Sequence, residues 1–231
     1  MKAYLTVDDI ATERTAILTD YLTDRQIKAL MFVWGQRADA FADNCVYAIK
    51  KGMVLGNHSY SHPAFTSLTM EKAREEILKN DRLIESFYKK AGIKRPFKAF
   101  RFPYGDCGSA LEDSLDDFLK NQGFTPLKDS AMALKKRHSV LWDFDFREYK
   151  VRPVSGISFS EIYKKAENFL TEWKADKEKF RDFIPVILIH DHTETEDMEK
   201  NYFEKLINLF LDNGVEFIPP CGLSSCPSAS E

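Results

Sequence analysis

The chain has 231 residues, 33 of them Lys or Arg and 36 Asp or Glu, for a net charge of −3. With 44% hydrophobic and 30% charged residues it reads as an ordinary globular protein, long enough to bury roughly 70% of its unfolded surface. No basic stripe suits a nucleic acid, no apolar run approaches the ~18 residues of a membrane span, and nothing implies a protein partner.

Taken in order, residues 3–7 form a short β-rich run that starts two residues from Met1 and leaves no room for a signal peptide. The protein is therefore expected in the cytoplasm if the chain is complete, or outside the cell if a leader has been removed. Residues 13–22 follow with apolar positions at helical spacing, then 29–34 as a buried strand, 38–51 as a helix stopped by Gly52, and 54–55 as a short strand. Residues 71–91 are a long amphipathic helix, with Thr69 as cap, Ile77, Leu83, Ile84 and Phe87 on the buried stripe, and Gly92 as stop. Residues 98–102 are the next strand, 111–121 a helix closed by Gly123, and 124–125 a further short strand. Residues 139–144 are a strand, 160–173 a helix, 186–189 a fully apolar strand, 197–212 a helix stopped by Gly214, and 215–218 the last strand. The charge run 174–181 reads as a solvated loop or helix end. Strand alternating with helix throughout implies a parallel sheet covered on both faces, most naturally closed into a barrel. One domain over residues 1–220 is expected, with a loose tail over 221–231. Of the four cysteines, Cys45, Cys107, Cys221 and Cys226, the last two read as free thiols in that tail, a disulfide or metal pair being the alternative.

Polar residues cluster directly after the strands: Asp8-Asp9, Asn57-His58, Arg101, Asp143 and Asp145, and His190-Asp191-His192. In a parallel barrel all strand C-termini open on one face, so these groups converge. His58-x-x-x-His62 has the spacing that sets two imidazoles on one face of a helical turn. Alone it is weak, since two ordinary polar histidines serve as well. A carboxylate from Asp8-Asp9 completes a two-His, one-carboxylate set with open positions for water and substrate. The bland reading of Asp8-Asp9 is a cap on the next helix. On an extended chain, adjacent side chains point to opposite sides, so one could bind metal while the other faces the reacting water.

Thr6-Val7-Asp8-Asp9, His58-Ser59-Tyr60-Ser61-His62, Arg101-Phe102-Pro103-Tyr104-Gly105, Trp142 to Tyr149, and Val186 to Asp191 appear in this order. Together they resemble the five motifs of the polysaccharide deacetylases, the NodB-homology carbohydrate esterases of family 4. The resemblance implies a distorted (β/α) barrel with about seven parallel strands. It implies Asp8 as general base, Asp9, His58 and His62 as metal ligands, Arg101 holding the base, and His190 as general acid. It also implies Tyr104, through its N–H, as an oxyanion donor, and Ile187 or Leu188 as lining for the acetyl methyl. Pro103, Tyr149 and Leu188 would contact substrate. The ion implied is Zn2+, with Co2+, Ni2+ or Mn2+ as alternatives, and the substrate is an acetylated carbohydrate. Two departures stand out. Ile10-Ala11 replaces the usual Gly-Pro, and Glu148-Tyr149 replaces Asp-Trp, which leaves open whether Glu148 serves Arg101 or His190. Competing expectations are a metal-dependent amidase for a small non-sugar amide and a carbohydrate-binding protein without turnover.

Among the remaining features, Phe65, Phe102, Phe144 and Phe146 read as barrel packing, His138 as structural, and His192 as a rim residue. The sequon Asn57-His58-Ser59 reads as chance, because a glycan there would block the metal loop.

Overall fold

A computed structural model describes residues 1–152, 156–176, 178 and 180–223. In chain order it contains β1 (Lys2–Ile10), α1 (Thr15–Asp24), β2 (Leu30–Val33), α2 (Gly35–Ala38), α3 (Ala42–Lys50), β3 (Val54–Asn57) and α4 (Met70–Ala91). It continues with α5 (Glu112–Asn121), α6 (Ala131–Leu134), β4 (Phe144–Asp145), α7 (Phe159–Ala175), β5 (Val186–His190), α8 (Thr193–Met198), α9 (Tyr202–Asp212) and β6 (Glu216–Phe217).

The local signals explain most of these boundaries. The Thr69 side chain accepts the Lys72 N–H to start α4, and Gly92, left-handed at φ 70°, ends it. Ser158 and Glu161 form a reciprocal capping box at the start of α7. Two expected helices differ. The 38–51 helix is α3 alone, starting at Ala42, and the short α2 ends at Ala38 before it. The 197–212 helix becomes α8 and α9, separated at Asn201 (φ 57°) so that Tyr202 turns inward and its hydroxyl donates to the His190 carbonyl.

The strands run β3-β2-β1-β5-β4, with β6 on the first residues of β1, and every pairing is parallel. The expected strand 98–102 survives only as single bridges, Asn57 to Phe100 and Lys98 to Phe124, because Pro103 has no N–H to extend a ladder. The expected strand 139–144 shortens to β4, with the Asp143 carboxylate taking the Val186 N–H at 2.8 Å in place of a backbone partner. These irregular staves still close the ring. The Val140 N–H donates to the Phe100 carbonyl at 2.8 Å, and the Asp143 N–H to Val186 at 2.9 Å. The result is a distorted (β/α) barrel.

Strand alternation sorts the side chains. Ala3, Leu5 and Val7 of β1 pack outward with Met31, Val33, Ile187 and Ile189 beneath the helices. Tyr4, Leu30, Phe32, Val54 and Val186 fill the barrel interior with Phe97 and Val140. Gly56 makes room there, since a Cβ on it would lie 2.6 Å from the Phe32 ring. The tail expected to be loose from residue 221 is tied down through residue 223: the Cys221 carbonyl accepts from Lys128 and the Leu223 N–H donates to Pro126. Cys221 is disulfide-bonded, which corrects the free-thiol reading, while Cys226 lies outside the described residues. Among the described residues no helix is long and apolar enough to cross a membrane.

Candidate metal and catalytic site

β1 brings Thr6 and Asp8 to the inner face of the barrel. Asp9 then takes a left-handed backbone (φ 65°), and the register against β2 shifts between Val7 and Ile10. A bulge of this kind re-aims a side chain. Both carboxylates therefore line the same cleft, and the expectation that they point to opposite sides is corrected. The cleft encloses about 340 Å³.

Asp8 is buried and accepts from Arg101 Nη1 at 2.7 Å. Arg101 has no exposed surface, and its remaining donors meet Thr6 Oγ1 at 2.9 Å and the Val140 and Leu141 carbonyls at 3.1 and 3.4 Å. The Phe32 ring lies against its guanidinium at 4.4 Å. A charge this deep survives because all three nitrogens are engaged and a carboxylate sits beside it.

His58 and His62 are not on a helical turn. They belong to an irregular loop after β3 in which Ser59 (φ 64°) and His62 (φ 60°) are left-handed, and that backbone, not an i,i+4 helical face, brings their Nε2 atoms to 3.2 Å. Three neighbours shape the loop. The Asn57 side chain bridges the Ser59 N–H, Asn80 Nδ2 and the Ile77 carbonyl. Glu76 of α4 accepts the Tyr60 and Ser61 N–H groups at 3.0 and 2.7 Å. Trp34, just past β2, stacks on the His62 ring at 4.5 Å. The Asn57 amide is fully buried and committed, which agrees with reading the sequon as chance.

The donor set suits one divalent ion. Asp9 Oδ1 lies 3.4 Å from His62 Nε2 and 3.7 Å from His58 Nε2, and all three ligand atoms lie within 4.8 Å of one another. His58 Nδ1 meets the Arg101 carbonyl at 2.8 Å, and a carbonyl only accepts, so in the neutral ring Nε2 carries the lone pair. Burial lowers the His58 pKa against the pull of Asp8 and Asp9, which favours that neutral form. Burial also works against the Asp9 charge, but the adjoining His62 and the positive charge of His190 outweigh it and hold the carboxyl well below the usual range. Asp9 Oδ1 is buried without a hydrogen-bond partner, as an oxygen reserved for a cation would be.

Across the cleft His190 ends β5. Its Nδ1 donates to Glu148 Oε1 at 3.0 Å, and the His190 backbone N–H donates to the same oxygen. Glu148, fully buried, thus serves His190 and not Arg101. Burial alone would lower the His190 pKa, but the Glu148 carboxylate, with Asp9 and Asp8 nearby, pushes it up to about 10. Asp145, Glu148 and His190 also lie close enough to hold an ion, yet the Glu148–His190 hydrogen bonds already use the facing atoms. Tyr149 packs edge-on against His190 at 4.6 Å. Leu188 lines the cleft, whereas Ile187 points outward into the helix-facing core.

The third-motif turn holds Tyr104 in a left-handed conformation (φ 60°), 71% exposed at the cleft mouth. Pro103 is buried and is not part of the cleft lining; its ring fixes the start of that turn, so its expected contact with substrate is not supported by the geometry. Phe65, Phe102, Phe144 and Phe146 are buried in edge-on aromatic packing, as expected. His138 pairs with Asp116 at 2.9 Å and is not part of the cleft. His192 lines the cleft and also caps α8 through the Thr195 N–H. Burial pushes the free Cys107 thiol up to about 11, which leaves it no nucleophilic task. Sequence reasoning missed Trp34, Arg37, Trp142, Arg147 and Lys150, which also line the cleft. Trp34 and Arg37 follow β2, the one early strand whose end carried no obvious acid or histidine.

A family model described as polysaccharide deacetylase matches residues 1–126. A peptidoglycan-N-acetylglucosamine deacetylase of Bacillus cereus is 32% identical over 112 residues, covering 48% of this chain and 38% of that protein. Chitin deacetylase 1 of Cryptococcus neoformans is 27% identical over 169 residues, covering 73% and 33%. The chain thus spans about a third of the length of these curated relatives. A family 4 carbohydrate esterase from Streptomyces lividans, solved with acetate, superposes with a TM-score of 0.63 at 24% identity, covering 94% of this chain and 91% of the other. The catalytic domain of a peptidoglycan N-acetylglucosamine deacetylase from Eubacterium rectale superposes with a TM-score of 0.66 at 19% identity, covering 100% and 92%. At these identities the superpositions speak for the fold. The match of the family model over more than half of the chain, on a barrel of this kind, carries the conclusion: the chain belongs to the polysaccharide deacetylase family.

Proposed function

We propose that this chain is a metal-dependent hydrolase that removes N-acetyl (or O-acetyl) groups from a carbohydrate. One observation carries the reading. Asp9, His58 and His62 present three ligand atoms on the floor of a cleft, with the Arg101-held Asp8 on one side and the Glu148-held His190 on the other. The curated relatives are named for N-acetylated glycans, which supports the same substrate class.

A divalent ion on Asp9, His58 and His62, Zn2+ by this nitrogen-rich donor set, would supply Lewis acidity and make water ionise near pH ~7. Co2+, Ni2+ or Mn2+ would suit the same ligands less specifically. Asp8 accepts the proton of the attacking water; Arg101 holds its Oδ1 and leaves Oδ2 directed at the cleft side, 3.6 Å from His58 Nε2. The Tyr104 turn offers its N–H to the developing oxyanion, a donor typically worth ~3–4 kcal/mol. His190 keeps its proton on the side away from Glu148, available to the departing nitrogen. Leu188 packs against the acetyl methyl, and Tyr104 and Tyr149 offer ring surfaces to the sugar.

The test is acetate release from a panel of N- and O-acetylated oligosaccharides and small non-sugar amides, with and without chelator. Release from sugars that chelation abolishes and added ion restores is expected. Turnover confined to small amides, or unaffected by chelation, overturns the proposal.

A further inference from the structure

Three cations line the cleft without a part in acetyl hydrolysis: Arg37, Arg147 and Lys150. Their places follow from the sheet order β3-β2-β1-β5-β4. Arg37 lies in α2, directly after β2, and Arg147 and Lys150 follow β4. Between these two flanks run β1, with Asp8 and Asp9, and β5, with His190. A glycan lying across the strand ends, with its acetyl group over the centre, therefore meets positive charge on both sides.

These cations are largely unspent. The Arg37 guanidinium lies over the face of Trp34 at 4.0 Å, and among the described residues no carboxylate lies within ion-pair distance of it. Lys150 sits above Tyr149 at 5.9 Å, likewise without a carboxylate partner among the described residues. Arg147 is 51% exposed, and only its Nε approaches an acid, Asp145 Oδ2 at 3.6 Å. The acids of the cleft are otherwise committed: Asp8 to Arg101, and Asp9 to the space beside the two imidazoles. Beyond Tyr149 and Lys150 an adjoining surface cleft is lined by Arg152, whose charge is already paired with Glu194 at 3.6 Å. A neutral N-acetylated chain offers these cations only single hydroxyl and carbonyl acceptors, whereas guanidinium forks match planar oxyanions bidentately and with opposite charge.

We propose, resting on the deacetylase reading above, that the substrate is an anionic acetylated glycan, with acidic groups on the units flanking the acetylated sugar. Arg37 meets the anion on the β2 side, and Arg147 with Lys150 meets the one on the β4 side. Carboxylate and phosphate are the two chemistries that fit.

The experiment compares three probes on the metal-loaded protein: a neutral N-acetylglucosamine oligomer, an oligomer alternating N-acetylglucosamine with a uronic acid, and a phosphate-linked N-acetylglucosamine oligomer. Acetate release gives kcat/KM, and calorimetric titration gives Kd separately. The anionic probes are expected to be preferred, the better of the two identifying the acidic group, and the preference should weaken with added salt. Arg37→Ala and the double variant Arg147→Ala/Lys150→Ala should each cut the anionic-over-neutral ratio about tenfold, as expected for loss of a charge-assisted hydrogen bond, while Arg147→Lys should restore part of it. Acetate release indifferent to substrate charge and to these variants overturns the inference and leaves the deacetylase reading intact. Charge-dependent binding lost in the variants, with no acetate from any probe or from the N- and O-acetylated panel above, overturns the deacetylase reading and keeps the recognition. Neither binding nor turnover overturns both.

Discussion

Asp8 and Asp9 are neighbours with different surroundings, and single-atom substitutions should separate them. Asp8 Oδ1 is held by Arg101, whereas Asp9 Oδ1 faces His58 and His62. Asp8→Asn should keep the ion and lower kcat on the order of 10²–10⁴-fold, the range for losing a general base. Asp9→Asn should weaken the ion, because a neutral amide is a poor carboxylate substitute, and excess ion should recover part of the activity. Metal titration of both variants with acetate readout checks this; recovery of Asp8→Asn alone reverses the assignment. The His190–Glu148 pair predicts a pH effect. His190, pushed up to about 10 by Glu148, keeps its proton far above the ordinary ~6.5 of histidine. Its acid form is therefore retained until pH rises through about 10, and the alkaline limb of the activity profile should lie high. Glu148→Gln removes the charge that raises this pKa, so the limb should move to lower pH. The same linkage makes the pair's contribution to folding complete below ~6.5 and lost as pH climbs from there toward the folded value. An unmoved limb in Glu148→Gln would assign the alkaline fall to another group.

At the scale of elements, the metal loop after β3 depends on the helix that follows it, α4. Glu76 of α4 accepts two backbone N–H groups and the Ser61 hydroxyl, and Asn80 of the same helix holds Asn57 and the Val33 carbonyl. Hydrogen bonds to a charged acceptor contribute about 1.5–3 kcal/mol. Part of that is lost here to solvent, since Glu76 is only half-buried. Glu76→Ala touches no ligand atom, yet should weaken divalent-ion affinity about tenfold by freeing the left-handed loop, in line with the effect of outer supports on metal sites. Calorimetric ion titration reads this directly, and wild-type affinity in the variant would show that the loop holds its shape without α4.

At the scale of the whole molecule, Arg101 ties the barrel together. It belongs to the irregular 98–102 stave and reaches Asp8 and Thr6 on β1 and the Val140 and Leu141 carbonyls on the stave before β4. The closure that the sparse backbone bridges leave weak is thus completed by one buried side chain. Arg101→Met strands the Asp8 charge and should cost about 3–5 kcal/mol of stability, the usual penalty for breaking a buried pair. The double variant Asp8→Asn/Arg101→Met, with no stranded charge, should recover much of that loss in denaturant unfolding. Equal destabilisation of single and double variants would place the cost in packing and not in the charge.

The sequence by itself determined the alternation of strand and helix, the parallel barrel, and the set of residues that meet at its mouth. These rest on short-range physics: periodicity reveals which segments bury a face, and parallel strands deliver their C-termini to one side. Asp8-Asp9, Asn57-His58, Arg101, Asp143, Asp145 and His190-Asp191-His192 could be read for that reason, while the roles within 58–62, 101–105 and 142–149 came from the resemblance to the family's motifs. Four matters were decided only by the tertiary structure. The left-handed turns at Asp9, Ser59 and His62 bring the ligands together where strand and helix geometry alone would not, and a non-glycine residue holds such a backbone only when its surroundings impose it. The partner of Glu148 depended on a distance across the barrel. The loss of ladder at 98–102 and 139–144 followed from hydrogen bonds supplied by Pro-limited and side-chain-substituted staves. The sequence reading gave the cations Arg37, Arg147 and Lys150 no role, because a charge becomes part of a site only when the fold decides which face it shares.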